Sequence, residues 1–138
     1  MSATGFPKPV PKATPALAPF LEAARAGRLA VQRCGACGTL RFPPREVCSH
    51  CWSRDVEWTD VSGRGEIFAF YVMHQVYHPG FAADVPYPVV VVKLDEGPTM
   101  VSNVVDCPRE RLRIGLPVEV VFEEQGGVAL PKFRPRTA

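Results

Sequence analysis

Apolar and polar residues alternate in short runs through the second half of the chain, and turn residues separate these runs. This pattern predicts a series of short β-strands. Residues 89–92 are four valines in succession, which favours a central strand that is covered on both faces. Tight turns are predicted at residues 95–98 and 125–127, where glycines tolerate positive φ. The five predicted strands are residues 66–74, 88–94, 99–105, 117–123 and 128–133.

Strands of this number and length match an OB-fold, a five-stranded and partly open Greek-key barrel. Strand count alone does not fix the topology, so the pattern favours this fold without excluding other small barrels or sandwiches. A long connection at residues 75–87 is rich in aromatic residues. We expect it either to fold over the mouth of the barrel or to contact a partner protein.

The first half of the chain has a different pattern. Residues 1–15 contain four prolines interleaved with lysines, which is typical of an extended arm that is either flexible or held by a partner. A helix of about two turns is predicted at residues 18–26, with Phe20, Leu21 and Ala24 on one face and Gly27 as its stop. So short a helix is stable only when it packs on something else.

Four cysteines follow in two pairs with two residues between the members of each pair. The pairs are separated by ten residues, and short strands at residues 29–33, 40–45 and 56–60 surround them. Two such pairs are typical of a tetrahedral zinc site without an open position, which makes the metal structural. The predicted metal ligands are Cys34, Cys37, Cys48 and Cys51.

The two cysteine knuckles differ in one residue. Gly38 follows the first pair and tolerates positive φ, whereas Trp52 stands at the same place after the second, so we expect the second knuckle to be less regular. Iron can occupy the same four thiolates, and His50 is an alternative ligand. A thioredoxin-like redox pair does not explain the second pair. A disulfide framework fits poorly with five cysteines and with an N-terminus lacking a signal-peptide pattern.

Composition narrows the classes of function. The net charge is +2 and the sequence pI is about 8.3, which weakens a prediction of nucleic-acid binding. No apolar run is long enough to span a bilayer, and thiolates that hold metal favour a reducing, cytoplasmic location. We therefore divide the 138 residues into an arm at 1–15, a helix with a zinc ribbon at 16–60, an OB-fold barrel at 61–134, and a tail at 135–138.

The assembled pattern resembles a known family, the acyl-CoA-associated zinc-ribbon and OB-fold proteins of domain-of-unknown-function family thirty-five. The resemblance covers about residues 16 to 135 and includes the helix, both knuckles and the turns of the barrel. The matching positions are Phe20 and residues 27–29, 32–38, 42–45, 48–51, 58, 62–65, 86–88, 94–98, 114–115, 117–118 and 130–133.

The resemblance implies an accessory subunit that pairs with a thiolase-like enzyme of acyl-CoA metabolism, including aldolases, or alternatively with a hot-dog-fold hydratase. The catalytic residues then belong to the partner, and this chain stabilises the partner in a hetero-oligomer. Its barrel is expected to help cover CoA, so CoA or acyl-CoA is a ligand shared by the complex. Cys107 lies outside the cysteine pairs, and we interpret it as an ordinary small buried residue.

CoA carries several phosphates, so cations are needed where it binds. Arg64 is the first candidate because its flanking glycines allow backbone N–H groups and the guanidinium to approach an anion together. Lys132 and Arg134 are the next candidates. The alternative for each is a solvated surface charge, and most exposed charges are of that kind. His74 and His78 are interpreted as ordinary residues, because a spacing of four does not place them on one face of a strand.

A nucleic-acid-binding module is the alternative function, because OB-folds and zinc ribbons both occur in such proteins. It requires exposed aromatic residues interleaved with cations. The strand at residues 66–74 carries Phe68, Phe70 and Tyr71, with no cation among them. We predict instead that Phe68 and Phe70 pack into the core with a period of two.

Overall fold

The computed structural model describes residues 7–137, so the parts of the predicted arm and tail at residues 1–6 and 138 lie outside it. Within this range one helix, α1 (Ala18–Arg25), precedes eight strands in two sheets, and the predicted mainly-β class is confirmed. Short 3-10 turns lie at Pro79–Phe81 and Arg109–Arg111. The strands are β1 (Leu29–Cys34), β2 (Leu40–Arg41), β3 (Val56–Val61), β4 (Arg64–Met73), β5 (Tyr87–Leu94), β6 (Thr99–Ser102), β7 (Pro117–Gln125) and β8 (Val128–Pro135).

The predicted helix is present and ends where the sequence places its stop. Gly27 has a φ of 80°, and the N–H of Arg28 donates to the carbonyl of Ala23 at 2.8 Å. This closing bond gives the Ala23 carbonyl a second donor beside the Ala26 N–H and ends the helix. The helix packs on β1 and β8, and the ring of Phe20 lies 5.1 Å from that of Phe42 between centroids. Tertiary packing therefore holds a helix that is too short to be stable alone.

The ribbon sheet has the strand order β2-β1-β3 and is antiparallel. All six residues of β1 pair with β3, from Leu29 opposite Val61 to Cys34 opposite Val56. Only two residues of β2 pair with β1, so the return strand is shorter than the predicted residues 40–45. The prolines at 43 and 44 cannot donate to the ladder, which accounts for its early end.

The second sheet has the strand order β6-β5-β4-β7-β8, and its paired strands are antiparallel. Beyond β6 the chain turns back to β8, where Val105 N–H donates to the Phe133 carbonyl at 2.7 Å and Phe133 N–H donates to the Asn103 carbonyl at 3.0 Å. These bonds close part of the gap between the two ends of the sheet. The sheet is therefore a curled half-barrel, and the OB-fold prediction is confirmed.

One hydrophobic core joins the helix, β1 and the half-barrel. The residues at its centre are buried, and they come from both halves of the sequence. Because β1 also carries the first metal-ligand candidate, the cysteine cluster and the core are mechanically linked. The core residues are Phe20, Leu29, Val31, Ile67, Val90, Val92, Leu94, Met100, Val104, Leu116, Val118 and Phe133.

The four-valine strand is not the central strand that its composition predicts. The strand order places β4 in the centre and β5 beside it, between β4 and β6. Val90 and Val92 are buried, whereas Val89 and Val91 are only half-buried. One face of β5 is thus covered by the core, and the other face is partly open to solvent.

A β-bulge makes the period-two prediction for β4 wrong at Phe68. Ile67 pairs with Val92 and Ala69 pairs with Val91, so Phe68 is an extra residue in the ladder. Its side chain is 58% exposed, while Phe70 packs against the core. A strict alternation from residue 66 onward cannot place these two phenylalanines correctly, because the bulge shifts the inward-facing positions by one residue.

The described part of the N-terminal arm is held by the chain itself. Lys8 forms an ion pair with Asp84, and its ammonium lies 5.5 Å from the centre of the Phe81 ring. Gln125 donates from Nε2 to the Pro9 carbonyl at 2.9 Å. The arm thus packs against the aromatic loop, in which Phe81 is half-buried, whereas Tyr77 is 76% exposed. No helix in residues 7–137 is long and apolar enough to cross a membrane.

Candidate metal centre and cationic cluster

The four cysteines that the sequence singles out lie together. Their Sγ atoms are all within 4.8 Å of one another. The Sγ atoms of Cys34 and Cys51 are 3.5 Å apart, and those of Cys37 and Cys48 are 3.7 Å apart. Each short distance joins one cysteine of the first pair to one of the second, so the ten-residue spacer returns the second knuckle onto the first.

Both knuckles have the same backbone geometry, so the prediction of a less regular second knuckle is wrong. Gly38 N–H donates to the Cys34 carbonyl at 2.9 Å, and Trp52 N–H donates to the Cys48 carbonyl at the same distance. Trp52 has a φ of 68° and Gly38 a φ of 78°. A tryptophan therefore occupies a left-handed conformation that normally favours glycine.

The knuckle backbones favour thiolates at the first cysteine of each pair. The Cys37 backbone N–H is the main cause that lowers the pKa of Cys34 to about 6. The Cys51 backbone N–H, followed by that of His50, lowers the pKa of Cys48. Because N–H groups stabilise the charged form of each sulfur, both thiols are prepared to act as ligands.

Cys51 behaves in the opposite way because of its neighbours. The Ser53 N–H acts to lower its pKa, but the Cys34 side chain, burial and the other two thiols outweigh that effect and raise the pKa to about 12. Four negative sulfurs at these distances repel one another unless a cation lies between them. The donor set and its spacing therefore fit a tetrahedral divalent ion such as zinc.

The cluster contains neither His50 nor Cys107. Within residues 7–137, the group of close metal-ligating side chains consists of the four cysteines. His50 is exposed and contributes its backbone N–H to Cys48 Sγ at 3.4 Å. Cys107 is half-buried against the core, and desolvation raises the pKa of its thiol. Four sulfurs fill the coordination shell of a tetrahedral ion, so such a site has no open position for substrate.

A buried polar network supports the ribbon, and the sequence did not reveal it as such. Gln32 Oε1 accepts from Arg41 Nε and from Arg45 N–H, each at 2.8 Å. Arg41 Nη2 donates to the Arg45 carbonyl at 3.1 Å. Only 3% of Gln32 and 7% of Arg41 are exposed. Two bonds to Gln32 and one between Arg41 and Arg45 thus hold residues 41–45, which follow the first knuckle, against the part of β1 that precedes it. A buried arginine cannot be recognised from its position in a short, polar strand.

Two of the three candidate cations for CoA are brought together. Strand pairing places Arg64 opposite Glu119, and Glu119 opposite Arg134. Directly paired residues share a face of the sheet, so the three side chains form one cross-strand row. Arg134 Nε bonds Glu119 Oε2 at 2.9 Å, while the Arg64 side chain is exposed. The Glu119 carboxylate neutralises the charge of one of the two arginines, so the row has a net positive charge.

Lys132 has a different environment from Arg134. It lies two residues earlier on β8, and its Nζ donates to Asn103 Oδ1 at 2.7 Å. Desolvation is the main cause that lowers its pKa, with Lys8 acting in the same direction and Glu123 and Asp84 opposing it. Lys132 therefore shares a face of β8 with Arg134, but its charged neighbours belong to the arm and the aromatic loop.

The glycines that flank Arg64 have a packing role. A Cβ added at Gly63 would clash with the side chain of Val120, and one added at Gly65 would clash with the Lys93 carbonyl. Gly63 also has a φ of 78°. Close approach of neighbouring strands thus accounts for both glycines, whereas the sequence suggested approach to an anion. His78 likewise has a local role, since its Nδ1 accepts from Gly80 N–H at 2.9 Å, while His74 is exposed.

Known proteins match this architecture. The ChsH2 rubredoxin-like zinc ribbon domain matches residues 21–57, and the ChsH2 C-terminal OB-fold domain matches residues 58–123. A probable enoyl-CoA hydratase alpha subunit from Thermomonospora curvata is 40% identical over 117 residues, which are 84% of this chain and 36% of that protein. A DUF35 domain-containing scaffold protein from Methanothermobacter thermautotrophicus is 34% identical over 76% of this chain and 84% of its own length.

A solved structure agrees with these sequence matches. One chain of a structure described as an Ltp2-ChsH2(DUF35) aldolase superposes with a TM-score of 0.81. It is 38% identical, and the match covers 91% of this chain and 98% of that one. The chain therefore belongs to the DUF35 family, as a ChsH2-type zinc ribbon followed by an OB-fold.

Proposed function

We propose that this chain is a non-catalytic, zinc-binding subunit of a thiolase- or aldolase-type complex that processes acyl-CoA. The observation that carries the proposal is the 38% identity to nearly the whole of a chain in a structure described as an aldolase. The name of the archaeal scaffold relative supports a structural role, and that of the hydratase subunit supports acyl-CoA chemistry. A hot-dog-fold hydratase is the alternative partner.

Zinc is held by Cys34, Cys37, Cys48 and Cys51 in this proposal. The match to a zinc ribbon favours zinc over iron, which the four sulfurs alone do not distinguish. A closed shell of four thiolates supplies folding free energy to the ribbon and no Lewis acid to a substrate. Catalysis consequently falls to the partner subunit.

The chain stabilises its partner and contributes cations to CoA. The row formed by Arg64 and Arg134 around Glu119 is the best-placed group for a phosphate, because it combines two guanidiniums with a single carboxylate. Lys132 contributes less in this proposal, since it is half-buried and already bonded to Asn103.

The function is tested with the affinity-tagged chain produced in its source organism. We expect it to co-purify with an acyl-CoA-processing enzyme, and we expect the complex, but not the isolated chain, to cleave or condense acyl-CoA. Turnover by the isolated chain at the rate of the complex would refute the proposal. Co-purification with no such enzyme would refute it as well.

The CoA contribution is tested separately in the assembled complex. Arg64→Ala combined with Arg134→Ala should raise the KM for acyl-CoA by about tenfold, the effect of one charge-assisted hydrogen bond to phosphate. Arg113→Ala removes an exposed arginine from the loop before β7 and is the matched control. An unchanged KM in the double variant removes CoA contact from the proposal and leaves the scaffold role standing.

A nucleic-acid-binding module remains a second candidate because of one observation. Phe68 and Tyr71 are 58% and 54% exposed, and exposed aromatic rings are what a single-stranded nucleic acid stacks on. The absence of a cation from the intervening positions argues against it. A salt-dependent affinity for a mixed-sequence DNA oligonucleotide, lost in Phe68→Ala, would support this candidate over the first.

A further inference from the structure

The outward face of the half-barrel carries a continuous apolar surface that we name the outer patch. The register of the paired strands shows which residues share this face. Val101 pairs with Val91, and Val91 with Ala69, which makes one cross-strand row, while Tyr71 pairs with Val89 in the next row. The bulged residue Phe68 lies beside Ala69. The outer patch consists of Phe68, Ala69, Tyr71, Val89, Val91 and Val101.

The outer patch is open to solvent at its largest side chains. Phe68 is 58%, Tyr71 54% and Val101 68% exposed. An aromatic side chain buries about 150–250 Å² when it is fully covered. The exposed parts of Phe68, Tyr71 and the smaller Val101 therefore present on the order of 300 Å² of surface together. That is the size of the largest apolar patch on a typical soluble monomer, and such patches are often functional. It corresponds to the apolar centre of one side of a standard interface, which buries about 800 Å² per partner.

The bulge determines which residues of β4 lie on this surface. It turns Ile67 and Phe70 toward the buried valines of β5 and adds Phe68 on the outside. A regular strand that kept Phe70 inward would turn Phe68 inward as well, but it would turn Ile67 outward. The bulge keeps both Ile67 and Phe70 inward and leaves Phe68 outside, so an interface that covers Phe68 would bury apolar surface that the isolated chain exposes.

Charge and shape limit what can cover the outer patch. None of its six residues is charged, and the next row pairs Glu66 with Lys93, whose charges compensate each other. The outer patch and this row together have no net charge, which disfavours a nucleic acid on the patch itself. The inner face holds the core, so the outer face of the curled sheet is convex. Two convex faces touch over a small area, which disfavours a second copy of this chain.

We infer that the outer patch docks into a concave apolar surface of the catalytic acyl-CoA-processing subunit. This inference rests on the proposed function and adds the surface through which the two chains meet. An uncharged convex patch with two aromatic residues matches the usual centre of a stable interface, which is depleted in charge and enriched in tyrosine and phenylalanine. Tyr71 and Phe68 are then the residues that carry most of the binding energy.

The test uses the purified catalytic subunit identified by co-purification, titrated with variants of the full chain in a calorimeter. Tyr71→Glu and Val101→Glu should each raise the Kd at least tenfold, because each buries an unpaired charge in the interface. Val56→Glu is the matched control. It replaces a valine that is 41% exposed on β3 of the ribbon, and its Kd should stay within twofold of wild type.

Each variant must also retain its metal content and melting temperature, so that weaker binding is not a folding defect. Val101 is on an edge strand and Tyr71 is half exposed, so two independent positions test the same surface. Wild-type Kd in both well-folded variants would overturn the inference and leave the proposed function intact. Absence of any acyl-CoA enzyme from the wild-type preparation would overturn both. Loss of a homodimer or of oligonucleotide binding in these variants would also overturn the inference.

Discussion

Trp52 and Gly38 share a left-handed backbone conformation at equivalent positions of the two knuckles, with φ of 68° and 78°. A residue with a Cβ pays about 1–2 kcal/mol for this conformation, whereas glycine does not. The Trp52 side chain is 81% exposed, so it gains little packing in return. We therefore predict that Trp52→Gly stabilises the zinc-loaded chain by about 0.5–1 kcal/mol, net of the backbone entropy of glycine. Guanidinium unfolding with zinc in excess measures this.

Gly38→Ala provides the reciprocal comparison. It places a Cβ in the same conformation at the first knuckle, where the nearest side-chain atom is 3.7 Å from that Cβ. We expect a loss of about 1 kcal/mol from backbone strain alone. If Trp52→Gly destabilises by a similar amount, the indole makes a stabilising contact and the strain argument is wrong.

Gln32 is expected to be important for the stability of the ribbon. Gln32→Leu removes the acceptor of two bonds and leaves the buried Arg41 guanidinium with one fewer partner, in addition to Nη1, which already lacks a partner within the described residues. Hydrogen bonds to charged groups contribute about 1.5–3 kcal/mol, so we predict a loss of that size. Thermal unfolding of the zinc-loaded chain is the measurement.

A double-mutant cycle isolates the interaction. Arg41→Leu removes the buried charge, and the double variant should be more stable than the sum of the two single losses implies, because no unpaired guanidinium remains. Strict additivity of the two losses would show that Gln32 and Arg41 do not act as a unit.

Local signals in the sequence predicted the elements that depend on local chemistry. The cysteine spacing identified the four sulfurs that lie together, and Gly27 and Gly97 marked a helix end and a hairpin turn, with φ of 80° and 118°. These features depend on one or two residues and on backbone geometry that only glycine adopts easily. Sequence reading succeeds there because the deciding interaction is short in range.

Long-range contacts decided what sequence reading missed. The bulge at Phe68 depends on how β4 aligns with β5. A prediction from strict alternation does not allow for one extra residue in the strand. Docking of the arm depends on Gln125 and Pro9, which are 116 positions apart. Arg41 can be buried because Gln32 on another strand accepts a hydrogen bond from its Nε. In each case the position and burial of the residue depend on a contacting residue elsewhere in the chain.

Gly63 should be far more sensitive to substitution than Gly97. Gly63→Ala combines a positive φ with a clash against Val120, whereas an added Cβ at Gly97 meets nothing within 4 Å. We predict a loss of about 3 kcal/mol or more for Gly63→Ala and of about 1 kcal/mol for Gly97→Ala. Chemical denaturation compares the two. Adding Val120→Ala to Gly63→Ala should restore part of the stability, since it removes the clashing methyl groups. Equal losses for the two glycines would contradict the packing role.

Acid should release the metal in a narrow range of pH. The folded chain lowers the pKa of Cys34 from its ordinary value of 9.0 to about 6. A lowered pKa means that this thiolate stabilises the fold fully above pH 9 and that the contribution is lost as the pH falls through 6. Zinc binds the thiolates in competition with protons, so bound zinc lowers the pKa of each thiol further. We therefore expect zinc to be retained at pH 7 and released below about pH 6.

Zinc release is followed with a chromogenic chelator while near-ultraviolet circular dichroism reports on packing. The two signals should change together, because Leu29 and Val31 of β1 belong to the core that continues into the half-barrel. Cys51→Ser should release zinc at higher pH because it removes a ligand, whereas Cys107→Ser, outside the cluster, should follow the wild-type curve. A wild-type chain that holds no stoichiometric metal at pH 7, or a Cys107→Ser curve displaced like that of Cys51→Ser, would rule out the four-thiolate assignment.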